Sequence, residues 1–353
     1  MTLGSPEQLT GGYLYHRRMA ELAPGHGARL DLVSVPALPF PLPAALAGRV
    51  LGGAAHADVL VVDSIVAAFV APWRPSRRPS GGSRPSPPLA AMLHQPPGGI
   101  DHGPLRRPVQ AALDRALYRR CDLLVLASQT LAAAVSGFPA VVVPPGRDVA
   151  RTPGGPPALP PVDLRHGRQA ALLSVGNWVD RKGTLDLLDA FGRLPPDLAT
   201  LHLVGRTDVN LRYTSRVRAR LARPDLAGRV VVHGPVTREE VARLYRSADV
   251  FVLPSYREPY GTVYGEAMAA GLPVVGWRAG NLPNLAGDRE GVVLEPGDLA
   301  GLASALERLA ADARYRERLA AAALERGRRL PTWDDTARRF FGLLRELADV
   351  ADR

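Results

Sequence analysis

Two doubly wound α/β domains are predicted by three observations. Short apolar runs rich in valine and leucine alternate with helix-like stretches along the chain. At 353 residues the chain exceeds one ordinary core, and it fits two domains of about 150–170 residues each. Residues 144–167 contain seven prolines and read as the joint between them. The expected layout is a first domain over 1–150, a linker over 151–167, a second domain over 168–331 and a terminal helix over 332–353.

Taken in order, Gly11-Gly12 leads into a helix beginning Tyr13-Leu-Tyr-His-Arg-Arg18. Strands follow at Leu30–Val35, Val59–Asp63, Ala90–Leu93, Leu123–Ala127 and Ala140–Val143, each a β-branched or leucine-rich run bounded by turn residues. Residues 72–88, with six prolines and four arginines but no apolar period, read as a mobile loop. Arg106, Arg107, Arg115, Arg119 and Arg120 cluster around one predicted helix, with Val109, Leu113, Ala116 and Leu117 on another face. In the second half strands are expected at Ala171–Val175, Thr200–Val204, Val230–Val232, Val250–Leu253, Val274–Val275 and Val292–Val293. Helices are expected after Gly183, Tyr213, Arg238, Gly265 and Asp298. Asp334–Leu347 places Ala337, Phe340, Phe341, Leu344 and Leu347 on one apolar face.

Composition narrows the function classes. A hydrophobic share of 46% with 22% charged residues is that of a globular protein. Every apolar run is shorter than about 18 residues or is broken by charge, Gly or Pro, so neither a signal peptide nor a membrane span is read and the cytoplasm is the expected location. One cysteine, Cys121, excludes an intrachain disulfide and a multi-cysteine metal site; at a helix-to-strand junction it reads as a packing thiol, with nearby arginines leaving reactivity open. No metal-ligand spacing is found. The net charge of +10 divides into +6 over residues 1–167 and +4 over the rest. The Arg106–Arg120 cluster suits either a solvated helix face or a weak peripheral contact, at the inner face of the membrane, with anionic lipid headgroups or a phosphorylated acceptor. Nucleic acid is not an expected partner, because no recognition motif or aromatic stripe accompanies the charge. The oligomeric state is not legible.

The most informative stretch is Glu258-Pro-Tyr-Gly-Thr-Val-Tyr-Gly-Glu266, followed at once by Ala-Met-Ala-Ala-Gly271-Leu-Pro273-Val-Val. Two carboxylates bracket a glycine turn that feeds a helix. A helix N-terminus offers unpaired N–H groups and the positive end of the dipole, which suits a phosphate, with Thr262 and Val263 as donors. Carboxylates accept hydrogen bonds in pairs, so Glu258 and Glu266 suit adjacent sugar or ribose hydroxyls. The plain alternative is one loop acid and one first-turn helix acid. Of 44 basic residues a single one is lysine, Lys182, in a loop that opens a helix at Gly183-Thr184. There a compact ammonium suits a diphosphate; a surviving surface lysine is the alternative.

These residues resemble the Glu-x7-Glu signature of retaining glycosyltransferases of the GT-B fold, particularly family 4. Further segments agree in order: Ser174-Val-Gly-Asn-Trp-Val-Asp-Arg-Lys182-Gly183, Leu203-Val-Gly-Arg206, Val232-His-Gly-Pro-Val236, Ala248-Asp-Val-Phe-Val-Leu-Pro-Ser255 and Gly280-Asn-Leu-Pro283. The match is specific over most of residues 170–300 and looser over 11–150. It implies two Rossmann-like domains facing a central cleft, with the terminal helix crossing back to the first domain. It also implies a nucleotide-diphosphate sugar as donor, an unidentified acceptor hydroxyl, and no metal or other cofactor.

By the resemblance Glu258 contacts the donor hexose, Glu266 holds the ribose, and Lys182 with Arg181 neutralises the leaving diphosphate. Gly261, Thr262 and Val263 bind phosphate through backbone N–H groups; Val236 lines the base pocket; Tyr260, Gly205, Arg206 and Asn177 complete the donor contacts. Gly11 and Gly12, lacking Cβ atoms, let the backbone approach the diphosphate and acceptor, a plain turn being the alternative. His94, in Met92-Leu-His-Gln-Pro96, touches the transferred sugar or is structural.

Three features depart from the pattern. Asn177 stands where many relatives carry arginine, so Arg181, Lys182 or Arg206 takes more of the phosphate charge. Asn284 stands where glutamate is frequent. Only Met1-Thr-Leu-Gly-Ser-Pro6 precedes the glycine loop, so the first strand is expected to be missing, leaving unpaired edges, with apolar sequence encoded upstream. A catalytically degenerate nucleotide-sugar-binding protein is one alternative, favoured by Asn177 and the missing first strand and opposed by the intact acids and the sole lysine. A nucleotide-sugar epimerase is a weaker one.

Overall fold

Every strand pairing among the described residues of the computed structural model is parallel. Parallel strands need crossover helices, and these supply the alternation visible in the sequence. Residues 1–4, 11–54, 56–73, 87–148 and 159–351 are described. Most of the Pro/Arg-rich segment 72–88 and much of the linker 151–167 lie outside them. The chain forms two units, Met1–Gly146 with Pro331–Arg353, and Arg147–Leu330.

The first unit runs β1 (Thr2–Leu3), α1 (Gly11–Leu22), β2 (Ser34–Val35), α2 (Pro43–Gly53), β3 (Leu60–Asp63), α3 (Ala67–Val70), β4 (Leu89–Leu93), α4 (Arg106–Tyr118), β5 (Leu123–Leu126), α5 (Gln129–Ala134) and β6 (Ala140–Val142). Its four-stranded sheet has the order β3-β4-β5-β6, and β1 pairs with β2. The expected absence of a first strand is corrected here. Thr2 and Gly4 donate backbone N–H groups to Val33 and Val35, while the Met1 carbonyl accepts from Asp63 N at 2.9 Å and the Met1 amino group donates to Val61 O at 2.6 Å. The first residues therefore lie between β2 and β3 and bond to both. The strand expected over Leu30–Val35 shrinks to two residues because β1 offers it only two partners.

A second correction concerns α4. Its buried residues are Gln110, Ala111, Asp114, Leu117 and Tyr118, so of the four expected on the apolar face only Leu117 is buried, and Val109 is exposed. The buried polar groups have partners: Asp114 Oδ2 accepts from Gly98 N at 2.8 Å, and Gln110 Oε1 accepts from Arg106 Nε at 3.0 Å. Cys121 is buried in the packing role expected of it, with Sγ 3.5 Å from Leu117 O.

The terminal helix (Trp333–Ala351) belongs to this first unit. A capping box starts it: Thr332 Oγ1 accepts from Asp335 N at 3.1 Å, and Asp335 Oδ2 accepts from Thr332 N at 3.0 Å. Ala337, Phe340 and Phe341 are buried as the periodicity requires. Trp333 and Phe340 meet the Tyr15 ring edge-on with centroids 5.9 and 6.1 Å away, tying the helix to α1.

The second unit continues with β7 (Ala170–Val175), α6 (Thr184–Phe191), β8 (Ala199–Val204), α7 (Leu211–Leu221), β9 (Val230–Gly234), α8 (Arg238–Ser247), β10 (Val250–Val252), α9 (Thr262–Ala269), β11 (Val274–Trp277), α10 (Leu282–Leu285), β12 (Gly291–Leu294), α11 (Leu299–Ala311) and α12 (Ala313–Arg329), before the terminal helix, α13. The sheet order is β12-β11-β10-β7-β8-β9. Alternate residues of β7 face opposite cores: Ala170 and Leu172 pack with Leu187 and Phe191, whereas Ala171 and Leu173 pack with Leu244 and Met268. The strand order reverses between β7 and β10. In sheets of this kind ligands bind outside the carboxyl ends of the strands at such a reversal.

Candidate active site

The loops at that reversal carry the residues singled out from the sequence. After β7 the chain turns through Asp180–Lys182 to Gly183, whose left-handed φ of 67° and close approach to Pro254 exclude a side chain: a Cβ there would lie 2.0 Å from Pro254 O. Gly183 thereby brings Lys182 against the loop after β10. Arg181 O accepts from Tyr256 N at 2.8 Å and Ser255 Oγ at 3.0 Å, which fixes the two loops together.

Lys182 Nζ donates to Glu258 Oε2, and Arg181 Nη1 stands 3.9 Å from the same oxygen while donating to Arg257 O at 3.2 Å. Glu258 is buried, and its carbonyl accepts from Asn281 N at 2.9 Å. Asn281 Nδ2 donates to Tyr260 O at 2.8 Å, and Asn284 Nδ2 donates to Asn281 Oδ1 at 3.0 Å. Asn284 thus supports the Glu258–Tyr260 loop through Asn281, a role its amide can fill.

Gly261, with φ of 75°, caps α9 in the left-handed conformation. The helix begins at Thr262, earlier than the Gly265 boundary read from sequence. Its first internal donors are Tyr264 and Gly265, both to Gly261 O, so the Thr262 and Val263 amides lie at the unpaired positive end. One turn on, burial pushes the Glu266 carboxyl up to about 7; nearby Arg238 opposes that rise, Asp148 adds to it, and Tyr245 offers a side-chain hydrogen bond. Arg238 also pairs with Asp148. Val236, just past β9, is partly buried against the core beneath α8 and α9.

Two expected donor contacts stand differently. Asn177 Oδ1 accepts from Arg206 N at 3.1 Å, and Trp178 N donates to Arg206 O at 2.9 Å, so this pair pins the loops after β7 and β8. Gly205 is required in that contact, since a Cβ would lie 2.3 Å from Gly176 O. The Arg206 guanidinium is exposed and forms two 2.9 Å bonds to Asp208. A phosphate would have to compete with that carboxylate.

The first unit brings together a cluster that sequence reasoning found only in part. Gly11 starts α1, and Gly12 follows it against the His94 ring, where a Cβ would come within 3.3 Å. His94, at the end of β4, has Nε2 3.2 Å from His16 Nε2, and His16 Nε2 lies 2.5 Å from Asp63 Oδ2 at the end of β3. Asp63 Oδ1 accepts from Ser64 Oγ at 3.1 Å and Ile65 N at 3.0 Å. Among the described residues these three form a group with metal-ligand chemistry, their ligand atoms lying within 4.8 Å of one another. The cluster draws on three distant segments, so no spacing announced it; the available signal was the Gly-Gly pair one turn before His16.

Burial drives the His94 pKa down to about 3, against the pull of Asp63. For Asp63 burial acts upward, but His94, His16 and the Ile65 amide outweigh it and hold the carboxyl below its usual range. Both shifts mean that the unfolded chain binds more protons. Stability from His94 is therefore complete above its ordinary pKa of 6.5 and is lost as pH falls toward 3; Asp63 adds a loss in the same direction below 3.8. His94→Gln is expected to remove about 2–4 kcal/mol of this pH-dependent loss. Denaturant unfolding at a series of pH values measures it, and an unchanged slope would refute the assignment.

Residues 169–312 match the family described as glycosyl transferases group 1. A 112-residue stretch, 31% of this chain, is 40% identical to D-inositol 3-phosphate glycosyltransferase of Nocardioides sp., covering 24% of that protein. Over 215 residues, 56% of this chain, the enzyme of the same name from Corynebacterium jeikeium is 30% identical, with 51% of its length covered. The chain thus spans about a quarter to a half of the length of the curated relatives it matches. Among solved structures, sucrose-phosphate synthase from Thermosynechococcus elongatus superposes with a TM-score of 0.79 at 20% identity, covering 99% of both chains. Anabaena HepE in complex with UDP and glucose gives 0.76 at 19% identity, covering 98% of both. These matches bear out the resemblance as far as the GT-B fold and a group 1 glycosyl transferase segment, and no helix among the described residues is long and apolar enough to cross a membrane.

Proposed function

We propose that this chain, which has the GT-B glycosyltransferase fold and a group 1 glycosyl transferase segment over residues 169–312, moves a hexose-type sugar from a nucleotide-diphosphate sugar to an acceptor hydroxyl with retention of configuration. The observation that carries the reading is the meeting of Lys182 and Glu258 at the strand-order reversal, with the α9 N-terminus opening from the same loop.

In this reading the departing diphosphate receives Lys182 and Arg181 as counter-charges and the Thr262 and Val263 amides as fixed dipoles. Glu258, released from Lys182 as that ammonium turns to phosphate, faces the hexose and stabilises positive charge developing at its anomeric carbon. Retention follows if the acceptor attacks from the leaving-group face, where a diphosphate oxygen takes its proton. Glu266 accepts from the ribose hydroxyls, and Val236 lines the base site. By the resemblance, His94 contacts the transferred sugar and the Gly11-Gly12 backbone approaches diphosphate and acceptor; a His94 kept neutral by burial suits a hydroxyl partner. No cofactor is assigned.

Thermal-shift titration with UDP, GDP, ADP, dTDP and their sugars tests donor binding, since a ligand of the native state raises Tm with its concentration. UDP-sugars lead the panel because HepE was solved with UDP and glucose, and inositol phosphate leads the acceptors because of the matched relatives' names. The carboxylate form of Glu266 is the ribose acceptor, and its pKa is pushed up to about 7. Donor affinity is thus expected to be about tenfold weaker at pH 6 than at pH 8, and independent of pH in Glu266→Gln. Equal pH dependence in both proteins would remove Glu266 from the donor site.

A further inference from the structure

We propose that the α2–α3–α4 side of the first unit docks on an anionic lipid surface. Such docking is separate from sugar transfer and is tested without it. Large apolar side chains stand in solvent there: Leu105 is 89% exposed, and Leu42, Val109 and Trp73 are exposed by half or more. They belong to one neighbourhood. The Arg106 guanidinium lies 4.9 Å over the Phe40 ring, joining the start of α4 to the Leu38–Leu42 turn that enters α2. Trp73 packs on α2 at Gly48 and donates Nε1–H to Ala44 O at 2.5 Å.

The exposed charge on these three helices has one sign. Within α2, α3 and α4 the single acidic residue is Asp114, which is buried and bonded to Gly98 N. Arg49, Arg107 and Arg115 are exposed on the same helices, and Arg119 follows at the end of α4. These exposed arginines outnumber Asp101, the exposed acid in the loop before α4, and an excess of basic charge favours an anionic leaflet. Leucine and an amphipathic tryptophan beside them suit the headgroup–acyl boundary, where apolar tips enter hydrocarbon while arginines stay at phosphate level. Apolar residues projecting singly among arginines suit a fluid surface that admits each one, whereas an acidic protein would need matching pockets.

Tryptophan fluorescence reports this face selectively. Trp73 is 50% exposed, while Trp178, Trp277 and Trp333 are 3%, 0% and 7% exposed. The full chain is to be mixed with phosphatidylcholine vesicles with and without 30 mol% (about one lipid in three) phosphatidylglycerol, using brominated acyl chains as quenchers. Expected are at least about tenfold stronger sedimentation with the anionic vesicles, quenching that is lost in Trp73→Phe, and release by high salt. Arg107→Glu with Arg115→Glu, both at exposed positions and checked for unchanged Tm, is expected to lower binding by about tenfold or more. Leu105→Asp should weaken quenching. Equal binding to neutral vesicles, no binding, or binding without Trp73 quenching would overturn the proposal. So would a Trp73 response to polyglutamate with none to vesicles, which would indicate an acidic protein partner.

Discussion

Lys182→Ala is expected to lower kcat for sugar transfer by about 10²–10³-fold with a smaller change in KM, the size of effect seen when one preorganised group facing transition-state charge is removed. Position sets this expectation. Lys182 is the chain's one lysine, its Nζ contacts Glu258, and the neighbouring Arg181 stands 3.9 Å from the same carboxylate oxygen. Negative charge grows on the diphosphate as the glycosidic bond breaks, so a cation matters more in the transition state than in the bound donor. Lys182→Arg is expected to recover little, because a planar guanidinium on a different stem places its charge elsewhere. Loss of the lysine also leaves Glu258 short of its nearest cation, which costs up to about 3 kcal/mol at a buried pair. The double variant Lys182→Met with Glu258→Gln isolates the stability effect: stability should return, while kcat stays low because both proposed groups are gone. Wild-type kcat in a folded Lys182→Ala protein would remove the lysine from the mechanism.

Gly280→Ala is expected to destabilise the second unit by about 2–4 kcal/mol and to lose more activity than that destabilisation explains. Gly280 has φ of 57°, and a Cβ there would lie 2.5 Å from Glu258 O and 2.6 Å from Glu258 N. Those are backbone atoms, so relief requires moving the segment that carries the proposed hexose contact. Gly297 provides the control: its φ is 87°, but a Cβ would meet nothing nearer than Tyr256 Oη at 3.9 Å. Gly297→Ala should therefore show only the left-handed backbone cost of about 1–2 kcal/mol. Denaturant unfolding with kcat on the folded fraction measures both, and equal effects at the two glycines would discount the close approach.

The second unit was legible because its strands and its ligand-side residues are local features. The β7 and β8 strands fall within a residue of the runs read at Ala171–Val175 and Thr200–Val204, and Asp298 caps α11 through Gly301 N as its position suggested. The α4 face was misread because apolar periodicity cannot register Gln110 and Asp114, whose burial depends on partners at Arg106 and Gly98. The stretch Met1–Pro6 before the glycine loop looked insufficient for a strand. In the fold it suffices, since β2 and Met1's partners in β3 satisfy it from both sides.

Alone, the sequence determined the alternation of strands and helices, the glycine turn before α9, the pairing of a lone lysine with two acids as candidate donor ligands, and the apolar stripe of α13. Each is encoded by residue type at short spacing, where backbone preference and side-chain period act directly. Tertiary structure decided that Lys182 meets Glu258, that Asn177 holds the Arg206 backbone while Asp208 takes its guanidinium, and that His16, Asp63 and His94 converge. Such contacts join groups from separate βα units, and their distances are set by sheet order and loop geometry. No local spacing in the chain specifies those distances.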